Sequence, residues 1–179
     1  CVVYPTVYDK VYSLITLRND STGNDQSGYF PFTLQRSILY RGKASVVNGD
    51  FQFSFIVPKD IKYVVGKGRL SFYAQNGFVD AQGYYNNVSI GGINQNASSD
   101  SHGPELKLYM NSDKFVFGGV TNENPSIYAL LSDSNGINTV GNGIGHDITA
   151  QLDKANDKIY TINDYYLGDL DSYSSGKVI

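Results

Sequence analysis

The residues able to do chemistry in this chain are few: one cysteine, two histidines and a scatter of aspartates. A cysteine nucleophile needs a base nearby to activate it. Cys1 opens an apolar, strand-like run, while His102 lies in a small-residue segment and His146 in a glycine-rich loop. A buried structural cysteine is the preferred reading. His146-Asp147 has the composition of half an acid–base pair, but neighbours along a strand point to opposite faces. Asp133, Asn135, Asp147 and Asp153 offer the oxygen donors a calcium ion takes, and Asp-rich loops between strands often hold one. The DSNG run at 133–136 is too short for an EF-hand loop, whose further ligands run at fixed spacings to a bidentate glutamate. Asp133, Asn135 and Asp147 stay as calcium candidates, with Asx-type turns as the preferred explanation. Asp164, Asp169 and Asp171 carry the same two readings. GNGIG at 141–145 lacks the Lys-Ser/Thr of a phosphate-cradling loop, and no helical pattern follows it. No catalytic or cofactor-binding residue is assigned. Tyr84-Tyr85 and Tyr165-Tyr166 offer rings for a carbohydrate or peptide platform, although packing at a sandwich edge is commoner. Asn19-Asp20-Ser21, Asn87-Val88-Ser89 and Asn96-Ala97-Ser98 match the glycosylation pattern, as chance allows in an Asn-rich chain, and are given no function.

The elements that must position these residues all read as strands. Residues 1–17 are rich in Val, Tyr, Ile and Thr, with an expected break near Pro5. Residues 18–28 form a polar loop. The clearest hairpin pairs 43–47 with 51–57 across Asn48-Gly49-Asp50, because Asn-Gly adopts the left-handed backbone of a tight turn. Phe51, Phe53, Phe55 and Val57 alternate with Gln52, Ser54 and Ile56, placing one aromatic face toward a core. Strands at 69–74 and 84–90 follow, around a turn at Asn76-Gly77. The aperiodic, small and polar segment 91–104 divides the chain into units 1–92 and 105–179, with 93–104 as linker. Leu106, Leu108 and Met110 alternate with Lys107 and Tyr109 to open the second unit. Two further strands, at 126–131 and 148–152, are joined by the long glycine- and asparagine-rich connection. Residues 161–179 show no steady period. No amphipathic helix is legible.

Composition bounds the function. The chain has 179 residues, 41% hydrophobic and only 17% charged, with 15 Tyr, 19 Gly and no Trp. That balance suits a half-buried pleated surface. A net charge of −3 with dispersed basic residues argues against nucleic-acid binding, which needs a basic stripe. One cysteine allows no internal disulfide, and no run of about 18 apolar residues spans a membrane. The opening apolar run reads as a cut within a longer chain. The expected class is all-β: two immunoglobulin-like β-sandwich domains, each lacking strands at its cut end.

VYPTVYDK (3–10), GKASVVNGDFQFSFIVPKDI (42–61), GKGRLSFYAQNG (66–77), FVFGGVTNENP with LSDSNGINTVGNGIGHDI (115–148) and NDYYLGDLDSY (163–173) cover most of the chain. In that order they resemble the region downstream of the catalytic domain in type IX secretion system sortases, the PorU-like, gingipain-family cysteine peptidases of Bacteroidota. The resemblance implies a cell-surface, outer-membrane parent that removes the C-terminal sorting domains of secreted cargo. It implies no catalytic role for Cys1, His102 or His146, since the family's catalytic pair belongs to an upstream domain. The implied role is non-catalytic: bracing that catalytic domain, or docking cargo or other secretion components. A calcium- or glycan-binding surface module is the alternative. Missing strands would leave open edges, so strand-swapped association through the first and last strands is expected.

Overall fold

A computed structural model describes residues 1–17, 28–59, 61–97, 100–139, 147–153 and 158–179. The expected polar loop at 18–28 (all but Gly28) with the first glycosylation pattern, Ser98 of the third, His146 and the GNGIG run lie outside the described residues. The chain is all-β and sandwich-like, built of curled antiparallel sheets, with no α-helix among the described residues.

The first sheet is organised around β1 (Val2–Tyr8). Its alternation is strict: Val3, Pro5 and Val7 are buried, while Tyr4, Thr6 and Tyr8 turn to the other face. β2 (Tyr12–Ile15) and β3 (Pro31–Leu34) leave the sheet and form a separate ribbon. β4 (Ile38–Arg41) and β5 (Ala44–Val47) lie in succession along one side of β1. β1 runs through Pro5 without the expected break. The Pro5 carbonyl accepts the Gly42 N–H at 3.2 Å, so its missing donor faces the junction where the partner changes from β4 to β5.

β6 (Asp50–Phe51) returns from β5 through Asn48-Gly49, both at positive φ (53° and 91°), the two-residue hairpin turn expected of Asn-Gly. Ladder pairing stops at Phe51, yet Phe53 and Phe55 keep the alternation and stack on Tyr40 at centroid distances of 5.6 and 4.9 Å. β7 (Gly66–Gln75) and β8 (Asp80–Ile90) complete the sheet on the other side of β1. The core here is Val7, Leu39, Tyr40, Ile61 and Ile90, with Phe53, Phe55 and Leu70 packed against it.

The second sheet has the order β13-β14-β10-β9. It is formed by β9 (Glu105–Met110), β10 (Ile127–Ser132), β13 (Tyr166–Gly168) and β14 (Ser175–Val178). Between β10 and β13, strands β11 (Thr149–Gln151) and β12 (Ile159–Thr161) make a ribbon of their own, followed by a 3₁₀ turn over Asn163–Tyr165. The run expected at 148–152 therefore pairs outside the second sheet. The core of this sheet is Ala129, Leu131, Tyr166 and Val178.

The expectation of strand exchange through the end strands is corrected. β1 is flanked by β7 on one side and by β4 and β5 on the other, and β14 lies between β10 and β13. Both have their main-chain partners within the chain and present no free edge. Among the described residues the free edges are β4, β6 and β8 in the first sheet, and β9 and β13 in the second.

The segment expected as a linker, 93–104, falls between β8 and β9. The two sheets nonetheless touch. Lys43 and Leu170 form a parallel bridge, the Asp171 N–H donates to the Lys43 carbonyl at 2.9 Å, and the Asp171 carboxylate accepts the Ser45 N–H at 2.7 Å. Asp171 adopts φ +57°, a left-handed conformation that Asp tolerates better than most residues. Arg41 reaches the Asp164 carbonyl at 3.2 Å, and Tyr173 packs against the first core.

Candidate functional site

The chemistry-bearing side chains do not converge. Cys1 is exposed, a correction to the buried reading: it precedes the first buried position of β1, and its carbonyl accepts the Val46 N–H. Ser101, His102 and Asp100 look like a catalytic set written in sequence, but their geometry is that of a turn. The Ser101 hydroxyl lies 3.4 Å from His102 Nδ1, while Asp100 Oδ1 accepts the His102 main-chain N–H at 3.0 Å. A carboxylate that holds the main chain leaves the imidazole unoriented. That N–H, with the Asn135 side chain second, holds the Asp100 carboxyl below its ordinary range.

The calcium candidates each have another partner. Asp133 Oδ1 accepts the Asn135 N–H at 2.8 Å, its carbonyl accepts the Gly136 N–H at 3.0 Å, and its own N–H donates to Ser174 at 2.7 Å. That is an Asx turn tied to the neighbouring strand. Asp147 Oδ1 accepts from Asn163 Nδ2 at 3.0 Å. Among the described residues no three His, Cys, Asp or Glu side chains are grouped to hold a metal ion. The tail aspartates face other groups: Asp169 accepts the Ser175 hydroxyl at 2.8 Å, and Asp171 joins the two sheets. Asn163 is the residue that sequence reasoning missed. Its amide donates to the Thr139 carbonyl and the Asp147 carboxylate, and its carbonyl accepts the Ile148 N–H at 2.6 Å. It clamps both described ends of the long connection; nothing in NDYY marks it among the other asparagines.

Three surfaces remain. The first is a core face that runs out uncovered. On β7, Leu70, Phe72 and Ala74 face the core; their cross-strand partners Tyr85, Gly83 and Ala81 on β8 continue that face but are exposed. In the second sheet Leu131 and Ala129 are buried, whereas their partners on β9, Leu106 and Leu108, are 58% and 57% exposed. The second is the opposite, outward face of β1, β7 and β8. Tyr4 and Tyr73 pair across it with ring centroids 6.0 Å apart, and the Arg69 guanidinium lies 4.4 Å from the Tyr8 ring. The third is a cleft of about 390 Å³ beside Lys10, Tyr12, Lys62 and Val64. On its floor buried Asp9 pairs with Lys10 at 2.7 Å.

Where the sheets meet, two tyrosines hold their protons tightly. Burial, then the nearby Asp171 carboxylate, raises the Tyr40 phenol above its ordinary value of 10.0. Burial, then Asp169 and Tyr40 itself, raises Tyr166 further. Each phenol is more acidic in the unfolded chain than in the folded one, so the unfolded state sheds protons first as pH rises. Their stabilising effect is complete below pH 10 and declines above it. Urea unfolding between pH 8 and about 11 should therefore show a falling midpoint. The double variant Tyr40→Phe/Tyr166→Phe should flatten that slope; an unchanged slope would reject the assignment.

Comparison with protein families, curated proteins and solved structures finds no match to this chain.

Proposed function

We propose that this chain is a non-catalytic β-sandwich region that braces a neighbouring folded domain, or docks secreted cargo, at a bacterial cell surface. One observation carries the docking role. Both sheets end in an edge strand, β8 and β9, whose core-side positions Ala81, Gly83, Tyr85, Leu106 and Leu108 lack a covering layer. An uncovered continuation of a core face beside a free main-chain edge is the surface a second folded unit completes. The sequence stretches that resemble the post-catalytic region of type IX secretion sortases support the cell-surface setting and the peptidase parent. The Asp100 carboxylate, which accepts the His102 main-chain N–H and leaves the imidazole unoriented, supports the lack of catalysis.

Hydrogen exchange tests this reading. In the intact protein, amides of β8 and β9 should exchange at least about tenfold more slowly than in this chain alone. Leu106→Lys with Leu108→Lys should leave the isolated chain within about 0.5 kcal/mol of its stability, because both side chains are exposed there. The same pair should abolish the added protection in the intact protein. Equal exchange in the two settings would sink the proposal.

A further inference from the structure

The outward face of β1, β7 and β8 is unlike the docking edge. Along β7 the outward positions are Lys67, Arg69, Ser71, Tyr73 and Gln75; along β8 they include Asp80, Gln82 and Tyr84. No Leu, Ile, Met or Phe stands among the outward positions of these three strands. This face instead sets aromatic rings among amides and hydroxyls.

The Tyr73 and Tyr4 rings are held in place. The Tyr73 hydroxyl donates to Asp80 Oδ2 at 3.2 Å, and Gln75 Nε2 donates to the Tyr4 hydroxyl at 3.3 Å. Tyr73 remains 44% exposed and Tyr84 72%. Ser71 pairs with Tyr84 and Tyr73 with Gln82, so Tyr73 and Tyr84 are diagonal neighbours, roughly 7–8 Å apart at such positions. Two open rings, that of Tyr73 fixed by Asp80, stand among hydrogen-bonding groups and match a ligand with an apolar C–H face and a hydroxyl rim.

Charge selects among such ligands. Past Tyr84 the face turns cationic, with Arg69 over Tyr8 and Lys67 bonded to Asn87 at 2.6 Å. Arg69 has no ion-pair partner among the described residues. Asp80 is the one carboxylate at an outward position, and it sits at the far end on the Tyr73 hydroxyl. A chain of net charge −3 thus presents a positive end on its aromatic face.

We propose that this face binds an acidic polysaccharide, with sugar rings stacked on Tyr73 and Tyr84 and the acid group met by Arg69 and Lys67. The site is separate from the docking edge and does not depend on it.

The test is affinity electrophoresis and calorimetry of the full chain with polygalacturonate, with dextran as neutral glycan and polyglutamate as a polyanion without sugar rings. Polygalacturonate should retard the chain. Tyr73→Ala and Tyr84→Ala should each weaken binding about tenfold, the scale of one lost aromatic contact. Arg69→Gln should weaken it and reduce its salt dependence. Circular dichroism confirms that each variant folds, and Tyr84→Phe, which keeps the ring, should bind like the wild type if the first two variants prove unstable. No retardation by polygalacturonate overturns the proposal. So does equal retardation by polyglutamate, which reports charge alone, or equal retardation by dextran, which removes the acid from recognition. Binding unchanged in Tyr73→Ala and Tyr84→Ala also overturns it.

Discussion

Tyr40→Ala is expected to lower the unfolding free energy by about 3–5 kcal/mol, the range for deleting a large buried aromatic. Tyr40 is 9% exposed and belongs to the first core. Its ring stacks on Phe53 and Phe55 with interplanar angles of 5° and 14°. Those two phenylalanines come from a stretch without ladder hydrogen bonds, so aromatic contact is what holds it over the sheet. Removing the central ring costs its own burial and releases the segment that covers β1 and β4. Tyr40→Phe keeps the stack and should cost less than about 1.5 kcal/mol, as volume-conserving core changes do. Urea denaturation of both variants measures the difference. Equal costs would mean that the hydroxyl, and not the ring, anchors this region.

Gly91→Ala is the second large effect, expected at about 3 kcal/mol from a collision in a backbone conformation that only glycine takes easily. Gly91 has φ +138°, and a Cβ there would meet the Val64 carbonyl oxygen and the Val65 Cα, each at 2.7 Å. Both are main-chain atoms and cannot rotate away. The site is also tied in place: Ile90 before it is in the core, and the Gly92 N–H after it donates to the Tyr63 carbonyl at 2.7 Å. Gly92→Ala provides the control. Gly92 also has positive φ, 81°, but nothing lies within 4 Å of its added Cβ, so only conformational strain of about 1 kcal/mol applies. A thermal-unfolding comparison in which the two variants match would remove the collision from the account.

The fold was legible where the side-chain period was clean. Phe53 and Phe55 after the hairpin and the Asn48-Gly49 turn follow from alternation and turn chemistry alone, whereas β1 runs through Pro5, where the sequence points to a break. The second sheet was half hidden. β14 reads Ser-Gly-Lys-Val and β13 Tyr-Leu-Gly, compositions that resemble loop. Their glycines are there for contact: Gly176 leaves room for the Tyr166 ring across the strand pair, where a Cβ would strike the hydroxyl end. A glycine that a neighbouring aromatic covers carries no local signal, because the covering residue lies ten positions away. The site chemistry was legible mostly as turns. Asp133 behaves as its Asx-turn pattern implies, whereas Asn163 and Asp171 act through long-range contacts that no spacing rule encodes.

The central positions of β1 and β14 also govern the order in which the protein can assemble. β1 finds its long partner only when residues 69–75 are present, and the second sheet cannot close until Ser175–Val178 inserts between β10 and β13. Nearly every ladder except the hairpins joins segments distant in sequence, a topology that folds over milliseconds to seconds. During that interval β10 lacks the neighbour that buries Ala129 and Leu131. The same strand order that gives β1 and β14 partners on both sides thus leaves an apolar strand waiting for its last partner. The growing chain is most open to chaperone capture, or to pairing with another copy, just before that strand arrives.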